Sequence, residues 1–180
     1  MTDHAIDIAG IELPSTDPVF LAIVGVHVLL GLVCTITGVI AMLSGKRTGP
    51  HPSFGSIYFW CLGGVFVTAT ALATVRWAED YELFILGALA FVVASVGRMA
   101  RRKRWSNWVR LHITGMGTSY VLLLTAFYVD NGKSLPLWRN LPSIAYWLVP
   151  AAVGIPLIVR ALFWHPFARR PHRSPENRLP

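Results

Sequence analysis

The sequence predicts an all-α, polytopic transmembrane bundle of about five spans, with the N-terminus outside and the C-terminus inside. Three observations predict it. Of 180 residues, 54% are hydrophobic and 14% charged, with a mean hydropathy of +0.53, which leaves too little polar surface for a water-soluble domain. Apolar runs of helical length recur along the chain. The basic residues fall between those runs and favour one set of their ends.

The first run, residues 18–43, holds no charged residue, and at 1.5 Å per residue it reaches about 39 Å, enough to cross about 30 Å of hydrocarbon with tilt. Gly45, Lys46, Arg47, Thr48, Gly49 and Pro50 follow, a stretch dense in helix breakers that predicts a tight loop. Residues 54–75 are the second uncharged run. The third, 81–97, is shorter and lies between Glu79, Asp80 and Glu82 on one side and Arg98 on the other. Residues 111–129 and 141–159 complete the set, separated by the turn signature Asp130, Asn131, Gly132 and by Pro136 and Pro142. One domain over residues 18–164 follows, flanked by an outward-facing tail (1–17) and a basic, proline-rich cytoplasmic tail (165–180) that cannot bury a core. The first 17 residues carry no Lys or Arg and the first run exceeds a signal-peptide core, so no cleavable targeting segment is expected.

Orientation follows from Lys and Arg near the span ends. One side receives Lys46, Arg47, Arg98, Arg101, Arg102, Lys103, Arg104, Arg110, Arg160, Arg169, Arg170, Arg173 and Arg178; the other receives Arg76, Lys133 and Arg139. The acidic N-terminal tail belongs to the poor side. Trp77, Tyr81, Tyr128 and Trp138 fall at outer ends and Trp105, Trp108 and Trp164 at inner ends, as aromatic belts do. The formal charge of +7 is thereby explained by topology. The basic clusters lack a nucleic-acid-binding module, and the partner they suit is the bilayer, with the basic loop and tail resting on anionic lipid headgroups.

A polar residue within a span is costly and belongs in the bundle interior. His27 is the deepest candidate. Gly31, Cys34, Thr35 and Gly38 follow it at helical spacing, and the fourth span repeats the pattern with His112, Gly115, Met116 and Ser119. Cys61, Gly64, Thr68 and Ala71 form a similar face on the second span. Such small, weakly polar faces let helices approach closely, which makes His27, Thr35, Thr68 and Ser119 the expected interior polar residues. Cys34 and Cys61 lie within apolar runs and read as neither redox nor metal ligands. No acidic residue lies deep in a span, so a carboxylate-based ion pump is disfavoured, and no P-loop, nucleophile elbow or paired metal motif occurs.

His27 with Gly31, the loop Gly45 to Arg47, the run His51, Pro52, Ser53, Phe54, Gly55, and the basic loop leading to Arg110 and His112 together resemble the bacterial integral membrane proteins grouped as DUF2306. Their helical pattern resembles cytochrome b561-type bundles. The resemblance covers roughly residues 20–130 and implies a multi-pass protein of the bacterial inner (plasma) membrane. It departs at Pro52, where arginine often follows the histidine, and the family lends no activity of its own.

A bis-histidine haem b needs two imidazoles on facing helices at similar depth. His51 opens the second span and His112 lies about one and a half turns into the fourth if that helix starts near Ser106, so these two are the expected iron ligands. Arg47 and Arg110 are the expected propionate partners. His27 lies nearer the outer side without a histidine at its level, which disfavours a two-haem ladder. Three functions fit the pattern: a haem-b or redox-linked membrane protein; a small helical carrier or binder for a lipid or quinone-like molecule, aided by Pro150, Gly154 and Pro156 in the fifth span; and a structural or assembly subunit of a membrane complex. Whether the protein is an enzyme is left open by these residues.

Overall fold

The computed structural model describes residues 6–8, 11–13, 17–45 and 49–164. Five long helices dominate: α1 (Pro18–Leu43), α2 (His51–Val75), α3 (Trp77–Lys103), α4 (Trp108–Asn131) and α5 (Ser143–Trp164). Two short strands ahead of them, β1 (Ile6–Ile8) and β2 (Ile11–Leu13), pair antiparallel with Ile6 opposite Leu13. These two strands are an addition to the all-helical scheme expected from the sequence.

α3 outruns its apolar stretch because its ends accept charge. α3 starts four residues before the run at 81–97 and ends six after it. Glu79 and Asp80 occupy its first turn and Arg101, Arg102 and Lys103 its last, the placement that the helix dipole favours. Arg104 closes α3 in the left-handed region at φ 52°, and Trp105 N–H reaches back to the Ala100 carbonyl at 3.2 Å, so the chain reverses towards α4 within a few residues. At the opposite end, Arg76 alone separates α2 from α3, and its side chain pairs with Glu79. At the start of α1, the Asp17 carboxylate accepts from Val19 N–H at 2.7 Å and Pro18 occupies the first turn, the usual N-terminal chemistry. α5 continues through Pro150 and Pro156 as one helix.

Successive helices pack side by side, α1 on α2, α2 on α3, α3 on α4 and α4 on α5. α4 also reaches back to α1 and α2 through Tyr120 and Ser119. Four helices, α1, α2, α3 and α5, are long and apolar enough to cross a membrane. α4 is long enough at 24 residues but carries Arg110, His112, Ser119, Tyr120 and Asp130. A helix walled by its neighbours needs less apolar side-chain surface than one facing lipid. Most of the large exposed hydrophobic residues, among them Leu29, Leu32, Trp60, Val67 and Val92, lie on the other helices, with Leu111 and Phe127 on α4, as expected where lipid is the solvent.

α3 and α4 touch backbone to backbone. A Cβ at Gly115 would lie 2.6 Å from the Val93 carbonyl oxygen and 2.9 Å from Gly97 Cα. Only glycine fits this crossing. Elsewhere the core is ordinary, with Cys34, Tyr58, Phe59, Leu62, Ala94 and Leu123 in one cluster.

Candidate functional site

The C-terminal ends of α1 and α3 and the N-terminal ends of α2 and α4 converge on two histidines. His51 is the first residue of α2 and His112 the fifth of α4. Their ring centres lie 6.1 Å apart with the planes crossing at 86°. Each ring is held by a neighbouring helix: His51 Nδ1 lies 2.7 Å from the Ala41 carbonyl oxygen on α1, and His112 Nδ1 lies 3.2 Å from the Gly97 carbonyl oxygen on α3. A carbonyl oxygen only accepts, so both Nδ1 atoms donate. In the neutral ring the lone pair then resides on Nε2, the tautomer that a metal-ligating histidine adopts when a backbone carbonyl fixes its other nitrogen. The glycine crossing of α3 and α4 brings the Gly97 carbonyl within reach of His112.

His27 is the third anchored ring. Its Nδ1 lies 2.8 Å from Thr68 Oγ1, and that hydroxyl directs its own proton to the Gly64 or Val65 carbonyl at 2.9 and 3.0 Å. The imidazole is therefore the donor. Thr35 donates to Gly31 O on its own helix at 2.9 Å, while its carbonyl accepts from Tyr120 Oη at 3.1 Å. Ser119 is fully buried at 0% exposure, donates to Met116 O at 2.8 Å and lies 2.8 Å from Tyr58 Oη. With the serine proton committed, Tyr58 is the donor across the α2–α4 contact. His27, Thr35, Thr68 and Ser119 thus all take part in contacts between helices.

The two arginines stand differently. Arg47 lies outside the described residues. Arg110 is exposed and precedes His112 by two positions, so its Cβ leaves α4 about 200° around the helix from that of the histidine. It is set away from the face that carries the histidine pair. Tyr58 and Tyr120 join α1, α2 and α4 but did not emerge from the sequence, where a tyrosine in an apolar run resembles any other large core residue. Their phenolic tips were the available signal, since a buried Tyr hydroxyl usually finds a partner. Arg98, taken at first only as a span boundary, proves to face α2.

Among the described residues no group of three or more His, Cys, Asp or Glu side chains could hold a metal ion. Both cysteines are free thiols. The arrangement is that of a helical protein with membrane-span-like helices, a paired-imidazole site at one end of the bundle and a separate His–Thr contact nearer the other. Compared with known protein families, curated proteins and solved structures, the chain matches none.

Proposed function

We propose that the protein is a haem-b or redox-linked membrane protein in which His51 and His112 are the axial ligands of one iron. The observation that carries this reading is the approach of the two rings to 6.1 Å between centres, each with Nδ1 on a backbone carbonyl. Metal–imidazole bonds of about 2 Å put two ligand nitrogens about 4 Å apart, with each ring centre a further ring radius away; the observed separation approaches that spacing. Bound there, haem would supply one-electron chemistry. The chain's own part is to hold the imidazoles through α1 and α3, fix their tautomers and surround the pair with packed helices. In this reading α4 crosses the bilayer as a fifth span, the N-terminus is outside, the C-terminus is inside, and the membrane is the bacterial inner membrane.

The test is an absorption spectrum of detergent-purified protein before and after haem supplementation. A Soret band shifted by reduction and lost in both His51→Ala and His112→Ala supports the reading. A colourless protein that takes up no haem, or an unchanged band in the double variant, overturns it.

A second reading has its own observation. A shallow apolar depression of about 420 Å³ between α1 and α2 is lined by Pro18, Val19, Ala22, Ile23, Val26 and Thr68, and Thr68 is the partner of His27. An apolar wall with a small polar group suits the head of a quinol-like lipid. Saturable binding of a short-chain quinol analogue, lost in Thr68→Leu and retained in His51→Ala, would favour this reading over the first.

A further inference from the structure

Arg98 lies near the inner end of α3, and its guanidinium reaches across to α2. Nη2 donates to Ser56 Oγ at 3.2 Å, and Cζ stands 4.6 Å from the Phe59 ring centre and 6.0 Å from that of Trp60. The side chain is partly buried. Five residues before Lys103, it starts about 7.5 Å inside the helix end. Arg101 and Arg102 follow at three and four positions, the spacing of one helix side. Both are exposed and both act electrostatically on Arg98. Among the described residues no carboxylate is paired with any of these three, and the Arg76–Glu79 pair lies at the other end of α3.

A partly buried cation without a counter-ion beside hydrocarbon is costly. Its guanidinium carries five N–H donors in a planar fork that matches phosphate oxygens, and Ser56 engages only part of it. Below the charge, α2 presents Ile57, Trp60 and Val67 at 43%, 68% and 65% exposure, an apolar strip leading away from the arginines. We infer that the surface where the inner ends of α2 and α3 meet binds the phosphate of an anionic phospholipid: Arg98 is the inner contact, Arg101 and Arg102 flank the headgroup, and an acyl chain lies along Trp60. The anion-rich leaflet faces the basic side of a membrane protein, so charge and apolar strip face the matching parts of one molecule. The inference rests on the chain being a membrane protein and is independent of the histidine pair.

Trp60 provides the readout. Full-length protein in phosphatidylcholine vesicles is titrated with phosphatidylglycerol brominated on its acyl chains, and the Trp60 signal is taken as the difference between wild type and Trp60→Phe. The expected result is saturable quenching with a midpoint that rises about fivefold in Arg98→Gln and recovers in part in Arg98→Lys. Should Arg98→Gln fail to fold, the exposed pair Arg101→Gln and Arg102→Gln must shift the midpoint in the same direction. Equal quenching by brominated phosphatidylcholine, or a midpoint unmoved in these variants, overturns the inference. Inorganic phosphate draws on the same chemistry; if it displaces the lipid at millimolar concentration, the site belongs to a free anion and the lipid assignment fails.

Discussion

Gly97 and Gly115 meet across α3 and α4 with no side chain between them, and the Gly97 carbonyl at this crossing accepts the Nδ1 proton of His112. Packing and candidate chemistry therefore depend on one contact. A membrane helix pair has little hydrophobic force to hold it together, so close backbone approach and hydrogen bonds across the interface do that work.

Gly115→Ala is expected to separate the two helices. Its methyl group would sit 2.6 Å from the Val93 carbonyl oxygen, which is backbone and cannot rotate away. A loss of about 1–3 kcal/mol is expected, the usual cost of overpacking. Thermal unfolding in detergent measures it, and an unchanged midpoint would mean that α3 and α4 do not cross at these glycines.

Much of this architecture was legible in the sequence because a lipid solvent simplifies the code. Uncharged runs marked α1 and α2, and the α1 bounds at 18–43 coincide with the helix. α3 extends several residues beyond the apolar run 81–97 at both ends, since Glu79, Asp80 and Arg101 to Lys103 fit the helix dipole although they interrupt the apolar pattern. Small residues at helical spacing identified Gly115 and Ser119 as interface positions, but spacing on one helix says nothing about which helix lies opposite. That is why the Tyr58–Ser119 and Tyr120–Thr35 links and the turn of Arg98 towards α2 were not foreseen. The histidines were found as residue types in costly places; the carbonyls that hold His51 and His112 belong to Ala41 and Gly97, whose side chains give no hint of the role.

Ser119→Ala and Tyr58→Phe should not be equivalent. The serine hydroxyl accepts from Tyr58 and donates to Met116 O, and Tyr58 is only 3% exposed. Ser119→Ala leaves a buried phenol without its acceptor, at about 1–3 kcal/mol, whereas Tyr58→Phe removes a net interaction of about 0.5–1.5 kcal/mol and leaves Ser119 still bonded. The double variant should lie near Tyr58→Phe. Denaturation of the three variants checks the order; equal losses would show that the two hydroxyls do not meet.

The His27–Thr68 bond at 2.8 Å should be weak despite its setting. Hydrogen bonds between membrane helices average about 0.6 kcal/mol and reach about 1.7 kcal/mol. A double-mutant cycle of His27→Phe and Thr68→Val is expected to give a coupling in that range. Strict additivity would mean that the imidazole and hydroxyl are not partners.

The orientation can be read at two exposed positions that bracket α4. Ser106 lies in the turn between α3 and α4, beside Arg104 and Arg110, and Ser134 ends the short 3-10 turn Gly132–Ser134 that follows α4. If α4 crosses the bilayer, these serines face opposite sides, and the excess of Lys and Arg around Ser106 assigns that side to the cytoplasm. A membrane-impermeant thiol reagent applied to intact cells should label Ser134→Cys and leave Ser106→Cys unlabelled until the cells are opened. Wild-type protein, whose Cys34 and Cys61 lie within α1 and α2, supplies the blank. Labelling of Ser106→Cys alone would invert the topology. Labelling of both would mean that α4 does not separate two compartments, and a five-span bundle would then be untenable.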